Sequence, residues 1–399
     1  MQVDAKSWLH CIKSNDGNET PLMPATPHDS RHWFADVPDH RRRVFLKSQQ
    51  QGKYIHCNGR SLLNFSSNDY LGLRQHPEVV HAAQDALASS GLGSGASRLV
   101  CGDAPEMHDL EHQLAAWKGY EQCLMVGSGM LANIGLLQAL SDRYTLIFSD
   151  KLNHASLVDG ARLSAARVYR FQHLDVAMLG TLLRQHPAKR RIIVSDGVFS
   201  MDGDAANVSA LLACAEAEDA LLVIDDAHGT GCFGHGFRGI TARIAGHPRL
   251  LEVGTFGKAF GGYGAFILGT CEMIEGLRQR LRTMMYSTAL PVAWIVAMQT
   301  SLRLIQTGSL QKTLQENIQY FLQQTPHLHR IPSKTAIQPV MLGSDEAALY
   351  AAQDLRDAGF FVPAIRPPTV PEGTARLRVT LSAQHSQADI QALIAALSA

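Results

Sequence analysis

From Leu62 onward, short apolar runs alternate with stretches of helical periodicity, and no other feature of this 399-residue chain constrains its fold as tightly. Leu124 to Val126, Thr145 to Phe148, Arg191 to Ser195, Leu221 to Asp225 and Leu251 to Phe256 read as strands of a few residues each. Helical stretches fit around most of them. Pro105 to Lys118 carries Leu110, Leu114 and Trp117 on one face, and Val208 to Glu218 is a second case. Strand, crossover and strand in this order predict a mainly parallel, buried sheet with right-handed connections. Pro291 can open a long helix, Val292 to Ile305, that leads out of the sheet. Beyond Gly308 a smaller α/β unit follows, with strands near Ile337 to Leu342 and Ala375 to Thr380, a helix at Ala348 to Ala358 and a last helix at Asp389 to Leu397. The fold class is α/β. Residues 1–60 read as an arm with one short helix, broken by Pro21, Pro24 and Pro27; 61–290 form a large domain and 291–399 a linker helix with a small C-terminal domain.

With 46% hydrophobic residues the chain can bury a full core, and its 36 basic and 36 acidic residues balance. No net charge draws it to nucleic acid or to an anionic membrane, so small-molecule partners are expected. Two uncharged runs, Gln122 to Ser141 and Thr283 to Leu302, are long enough to span a bilayer. Gly127, Gly129, Asn133 and Gln138 interrupt the first and Pro291 the second, so both read as core. Cys11, Cys57, Cys101, Cys123, Cys214, Cys232 and Cys271 form an odd set without a C-x-x-C pair, which predicts neither disulfides nor a metal site. Reduced thiols and an N-terminus without a secretory pattern predict a cytoplasmic protein.

In open α/β sheets, ligands gather at the carboxyl ends of strands, and polar residues concentrate there in this chain. LLVIDDAHGTG ends a strand with Asp225 and Asp226 and puts His228 in the next loop. About one connection later, GTFGKAFGG places Lys258 after a strand among glycines. An amine that forms a Schiff base must be rigidly placed, partly desolvated and open to a planar ring, and small neighbours provide that access. A carboxylate on an adjacent strand end can pair with the protonated nitrogen of such a ring, so Lys258 and Asp225 together point to pyridoxal phosphate. VGSGMLAN leaves a strand through Ser128 and Gly129 into a helix, whose free N–H groups suit a phosphate; Thr255, Ser287 and Thr288 can add hydroxyl donors. His154 follows another strand end, where its ring can stack on the cofactor, and Ser200 and His228 can reach the ring's phenolic oxygen.

NFSSNDYLGL, GSGASRLVCG, DKLNHASL, GVFSMDGD, DDAHGTG and TFGKAFGG occur in one order, and in this the chain from about Leu62 resembles the α-oxoamine synthases, pyridoxal-phosphate enzymes of aminotransferase-like fold (fold type I). The resemblance implies that Lys258 bears the cofactor, Asp225 holds its ring nitrogen and His154 stacks on the ring. It also implies that Gly129, Met130 and Thr255 lie on the phosphate or ring, and that Ser287 and Thr288 come from the second subunit of a homodimer. The run AIRPPTVPEGTARLRVTLSAQH resembles the branch that joins L-alanine to a pimeloyl thioester, on coenzyme A or an acyl carrier protein, in biotin biosynthesis. Arg366 with Asn68 would then bind the amino-acid carboxylate, Thr369 would touch the acyl substrate, and one of Arg41, Arg42 and Arg43 would meet the acyl donor. Asp196 stands where this branch often has Glu. The rivals are glycine with an acetyl or succinyl thioester, serine with a palmitoyl thioester, and a catalytically silent subunit of the same fold, against which Lys258 and Asp225 argue together.

Overall fold

The computed structural model describes residues 45–398, so the expected helix in the first forty residues lies outside them. Three short antiparallel strands come first, β1 (Ser48–Gln51), β2 (Tyr54–Cys57) and β3 (Arg60–Asn64), within the stretch read as an arm. Asn58 and Gly59 form the two-residue turn between β2 and β3, with φ of 49° and 73°, the backbone that a tight hairpin requires.

The large sheet contains β4 (Gln122–Val126), β5 (Thr145–Asp150), β6 (Arg167–Phe171), β7 (Arg190–Asp196), β8 (Leu221–Asp225), β9 (Leu250–Thr255) and β10 (Ala265–Gly269). Its order is β4-β10-β9-β8-β7-β5-β6. All pairings are parallel except those of β10, which runs antiparallel to β4 and β9. Successive residues of each central strand enter different cores. Ile193, Leu222 and Ile224 pack on one face, while Ile192, Val194 and Val223 pack on the other. A strand buried on both faces reads as a continuous apolar run, which is why these strands were visible in the sequence. The two unexpected strands are β6, whose side chains are mostly at the surface, and β10, which returns only nine residues after β9.

The helix over Pro105–Lys118 has Pro105 in its first turn and ends at Gly119 with φ 83°. Pro291 caps the Val292–Thr307 helix from outside rather than standing within its first turn. The first membrane-length run divides between β4 and the Gly129–Leu140 helix, and among the described residues no helix is long and apolar enough to cross a membrane.

In the C-terminal part, β11 (Ile337–Gly343), β13 (Ala364–Ile365) and β14 (Ala375–Thr380) form an antiparallel sheet, whereas β12 (Phe360–Phe361) pairs parallel with β3. Helices Asp345–Asp357 and Gln387–Leu397 complete it, the second closed by reciprocal bonds between Ser386 and Asp389.

Candidate active site

Asp150, Asp196, Asp225 and Thr255 are the last residues of β5, β7, β8 and β9, so parallel pairing alone gathers three carboxylates and a hydroxyl along one sheet edge. Asp196 and Asp225 are register partners. The loop after β9 carries Lys258 and is tightly folded. Phe256 and Phe260 are fully buried on either side of the lysine, and backbone bonds run from Gly261 to Lys258 (2.9 Å) and from Gly262 to Phe256 (2.8 Å). Gly261 has φ 71°, and a Cβ there would lie 2.2 Å from the Arg74 nitrogen, so only glycine fits. The loop therefore holds Lys258 rigidly, half-buried.

The Lys258 amine makes no hydrogen bond or ion pair with any described residue, and burial lowers its pKa to about 8, with Asp225 and Asp196 opposing the shift. Asp225 is buried, and its Oδ2 accepts a 2.6 Å bond from Asn133 Nδ2 while its Oδ1 accepts from the Ala227 N–H at 3.0 Å. Asp196 Oδ2 accepts the His154 N–H at 2.8 Å. Burial and the neighbouring Asp225 charge raise the Asp196 carboxyl well above its ordinary value.

His154 is exposed at the start of the Ala155–Leu163 helix, where its Nδ1 accepts the Ser156 N–H at 3.2 Å. His228 is buried, with Nδ1 2.6 Å from the Tyr70 hydroxyl. Desolvation, with Lys258 and Arg378 nearby, holds the His228 pKa well below its usual value, and partial desolvation of the His154 ring, whose edge still reaches solvent, lowers that of His154. Both imidazoles are therefore neutral at neutral pH.

Ser128 caps the Gly129–Leu140 helix by accepting the Leu131 N–H at 3.2 Å. Nothing lies where a Gly129 Cβ would point, and Met130 is exposed, so the remaining N–H groups of this first turn face open space. Thr255 Oγ1 bonds the Gly264 carbonyl at 2.8 Å and accepts from the Gly257 N–H at 3.1 Å. Ser287 and Thr288 line a small cavity together with Gly127, Val126 and Arg98 of the same chain.

The sequence reading missed Arg378, a buried residue of β14. Its guanidinium donates to the Ser200 carbonyl (2.6 Å), to Thr380 Oγ1 (3.0 Å) and to Asn68 Oδ1 (3.1 Å), all neutral acceptors. Arg376, two residues earlier, is paired at 2.5 Å with Asp202. Among the described residues Arg378 is thus a cation without a carboxylate partner beside the predicted Asn68, and its charge is felt at Lys258 and His228. Two arginines inside a fully buried strand were the available signal. Arg366 stands on the loop before β14, where its carbonyl accepts from the Thr369 N–H at 3.0 Å, and Thr369 is exposed. Arg41, Arg42 and Arg43 lie outside the described residues.

The arrangement can hold a planar, phosphate-bearing aldehyde: an unpaired amine, a carboxylate for a ring nitrogen, donors for an anion at a helix start, and a cation beside it. The family model for aminotransferase class I and II matches residues 60–397. An 8-amino-7-oxononanoate synthase of Saccharophagus degradans is 45% identical over 367 residues, covering 90% of this chain and 91% of that protein. A solved serine palmitoyltransferase from S. paucimobilis with a bound PLP-myriocin aldimine is similar at TM-score 0.84 and 27% identity, over 89% of this chain and 91% of that one. The crystal structure of an 8-amino-7-oxononanoate synthase from Francisella tularensis is similar at TM-score 0.74 and 29% identity, over 84% and 97%.

Proposed function

The chain belongs to the aminotransferase class I and II family, and on that premise we infer that it condenses L-alanine with a pimeloyl thioester in biotin biosynthesis. The products are 8-amino-7-oxononanoate, carbon dioxide and the free thiol of coenzyme A or an acyl carrier protein. The observation that carries this reading is the unpaired, desolvated amine of Lys258 facing Asp225, within a chain that is 45% identical to a synthase of that name.

The residues fit pyridoxal phosphate. Lys258 would hold its aldehyde carbon, Asp225 its ring nitrogen, and Ser200 and His228 its phenolic oxygen. Ser128, Gly129, Met130 and Thr255 would surround the phosphate, with Ser287 and Thr288 of a second subunit. When bound, the cofactor supplies an electron sink for the pair left at the amino acid's α-carbon. Every other task falls to side chains. Arg366 with Asn68 would bind the alanine carboxylate, and Arg378, whose acceptors among the described residues are all neutral, would add a second cation beside Asn68. Lys258 Nζ, with its proton affinity lowered to about pH 8, takes the α-proton and later returns a proton to the same carbon after carbon dioxide leaves. The neutral His154 would stack on the ring and hydrogen-bond the thioester carbonyl as charge develops there. Thr369 and one of Arg41, Arg42 and Arg43 receive the acyl chain and its carrier.

Leu92, Leu99, Val100, Tyr263 and Tyr286 on loops around this site, and Met130 in the first turn of the Gly129–Leu140 helix, are large apolar side chains left exposed. Hydrogen bonds from Ala289 to Ala96 and from Ser94 to Leu290 tie two of those loops together. A homodimer that covers these residues would complete the site, and a cytoplasmic location suits the cysteines, all free among the described residues.

L-Alanine labelled with ¹³C at the carboxyl carbon tests the reaction. All label should leave as carbon dioxide when pimeloyl-coenzyme A is present, and label recovered in pyruvate would instead indicate transamination.

A further inference from the structure

Asn133 lies on the inner face of the Gly129–Leu140 helix, fully buried, and its amide nitrogen bridges two groups of the site. One N–H points to Asp225 Oδ2 at 2.6 Å and the other to Ser156 Oγ at 2.8 Å. Ser156 Oγ lies 2.8 Å from His154 Nδ1, which also accepts the Ser156 backbone N–H. The two helices that supply Asn133 and Ser156 approach so closely that a Cβ on Gly160 would stand 2.9 Å from the Asn133 carbonyl. That contact requires glycine, and it brings the two side chains within reach.

The direction of every bond in this chain is determined. A carboxylate only accepts, so the Asn133 amide must present its nitrogen to Asp225. The reverse orientation would set Oδ1 against a carboxylate, and Oδ1 has no protein partner where it stands. The second Asn133 N–H then occupies a Ser156 lone pair, and the serine hydroxyl donates onward to His154 Nδ1. With Nδ1 committed as an acceptor, the neutral imidazole carries its proton on Nε2.

We infer that Asn133 and Ser156 are positioning residues that act through one amide: Asn133 orients the Asp225 carboxylate, and the Ser156 hydroxyl that it fixes holds His154 as the Nε2–H tautomer. The inference rests on the function proposed above, which assigns Asp225 to a ring nitrogen and His154 to a substrate carbonyl. It makes an asymmetric prediction. Loss of Ser156 should alter His154 alone, whereas loss of Asn133 should alter both ends.

The test uses the full-length, cofactor-loaded protein with ¹⁵N-labelled histidine, the His154 signals being identified by their loss in His154→Gln. The wild type should show a protonated Nε2 and an unprotonated Nδ1. Ser156→Ala removes the hydroxyl donor and leaves the backbone N–H on Nδ1, so it should raise the Nδ1–H fraction and move the acid limb of kcat/KM upward, because a lone pair relieved of one of its two donors binds a proton more readily. Its cofactor affinity, measured by displacement, should stay within about threefold of wild type. Asn133→Ala should mix the tautomers and also weaken cofactor binding by about tenfold or more, as expected when a buried charged acceptor loses its donor. Equal losses of cofactor affinity in both variants, or an unchanged His154 tautomer in Ser156→Ala, would overturn the inference. If Asn133→Ala does not fold, the Ser156→Ala tautomer and acid limb decide alone. A wrong substrate assignment would leave the tautomer result intact and show itself in the carbon dioxide assay, so the two failures are distinguishable.

Discussion

Two lysines lie near the same sheet edge, and they are treated in opposite ways. Lys118 is fully buried and is surrounded by acceptors: Asp226 at 3.4 Å, Thr230 at 3.1 Å, Glu252 and the Arg238 carbonyl. Tyr120 and Thr241 in turn donate to Glu252, and the Ile240 N–H donates to Asp226 Oδ2, so the ammonium sits in a ring of acceptors that are themselves held in place, although Asp226 Oδ1 is without a partner among the described residues. Lys258 is half-buried and its amine has no hydrogen-bond or ion-pair partner among the described residues, although Asp225, the neighbour of Asp226 in sequence, is close enough to raise its proton affinity. A buried cation with its partners in place holds a fold together. A desolvated cation without them is held for something that has yet to arrive.

The largest effect should come from emptying the unpaired position. Lys258→Ala should lower turnover by roughly 10³-fold or more and abolish the visible absorbance of bound cofactor, with an unchanged circular dichroism spectrum. Residual turnover close to wild type would erase the distinction between the two lysines. Lys118→Met should do the reverse. It strands Asp226 and Glu252 without a cation and should cost about 3–5 kcal/mol in urea unfolding, while each folded molecule keeps its kcat within about twofold. Arg378 belongs with Lys258 in this contrast, because among the described residues its guanidinium meets only neutral acceptors. Arg378→Ala should raise the KM for L-alanine by roughly 10²-fold and disturb stability less than Lys118→Met, as steady-state kinetics and melts on the same preparation would tell.

The smallest effect is a pH slope. In cofactor-free protein the Lys258 pKa is lowered to about 8, so between pH 8 and the ordinary amine value of 10.5 the unfolded chain binds the extra proton. Stability should therefore rise as pH climbs through that window. Below pH 8 both states are protonated, and the full cost of the buried charge remains. Lys258→Met should flatten the slope in urea melts between pH 7 and 10, and a slope that survives the substitution belongs to another group.

The chain displays its sheet and the strand-end half of its site openly. The central strands are apolar on both faces, so they stand out as continuous runs, and Asp225, His154, His228 and Lys258 follow directly from where those runs stop. β6 was hidden because its charged residues face outward, and β1 because all four of its residues are exposed. The Asn58–Gly59 pair was a readable hairpin signal for β2 and β3. Arg378 and Asn133 were hidden for a different reason. An arginine in a strand and an asparagine in an apolar helix look like surface residues until packing shows that both side chains point inward.

The most direct test crosses L-alanine and glycine with pimeloyl, acetyl and succinyl thioesters, following carbon dioxide and thiol release by the purified, cofactor-loaded protein. Because one methyl group is worth only about 1–3 kcal/mol to a pocket, glycine should be a poor rather than a silent substrate. The account predicts that kcat/KM is highest for L-alanine with the pimeloyl thioester, by tenfold or more on the order-of-magnitude scale of that discrimination. A preference for glycine with a short acyl thioester would contradict it, leaving the chemistry of Lys258 in place but moving the protein to another reaction of the same kind.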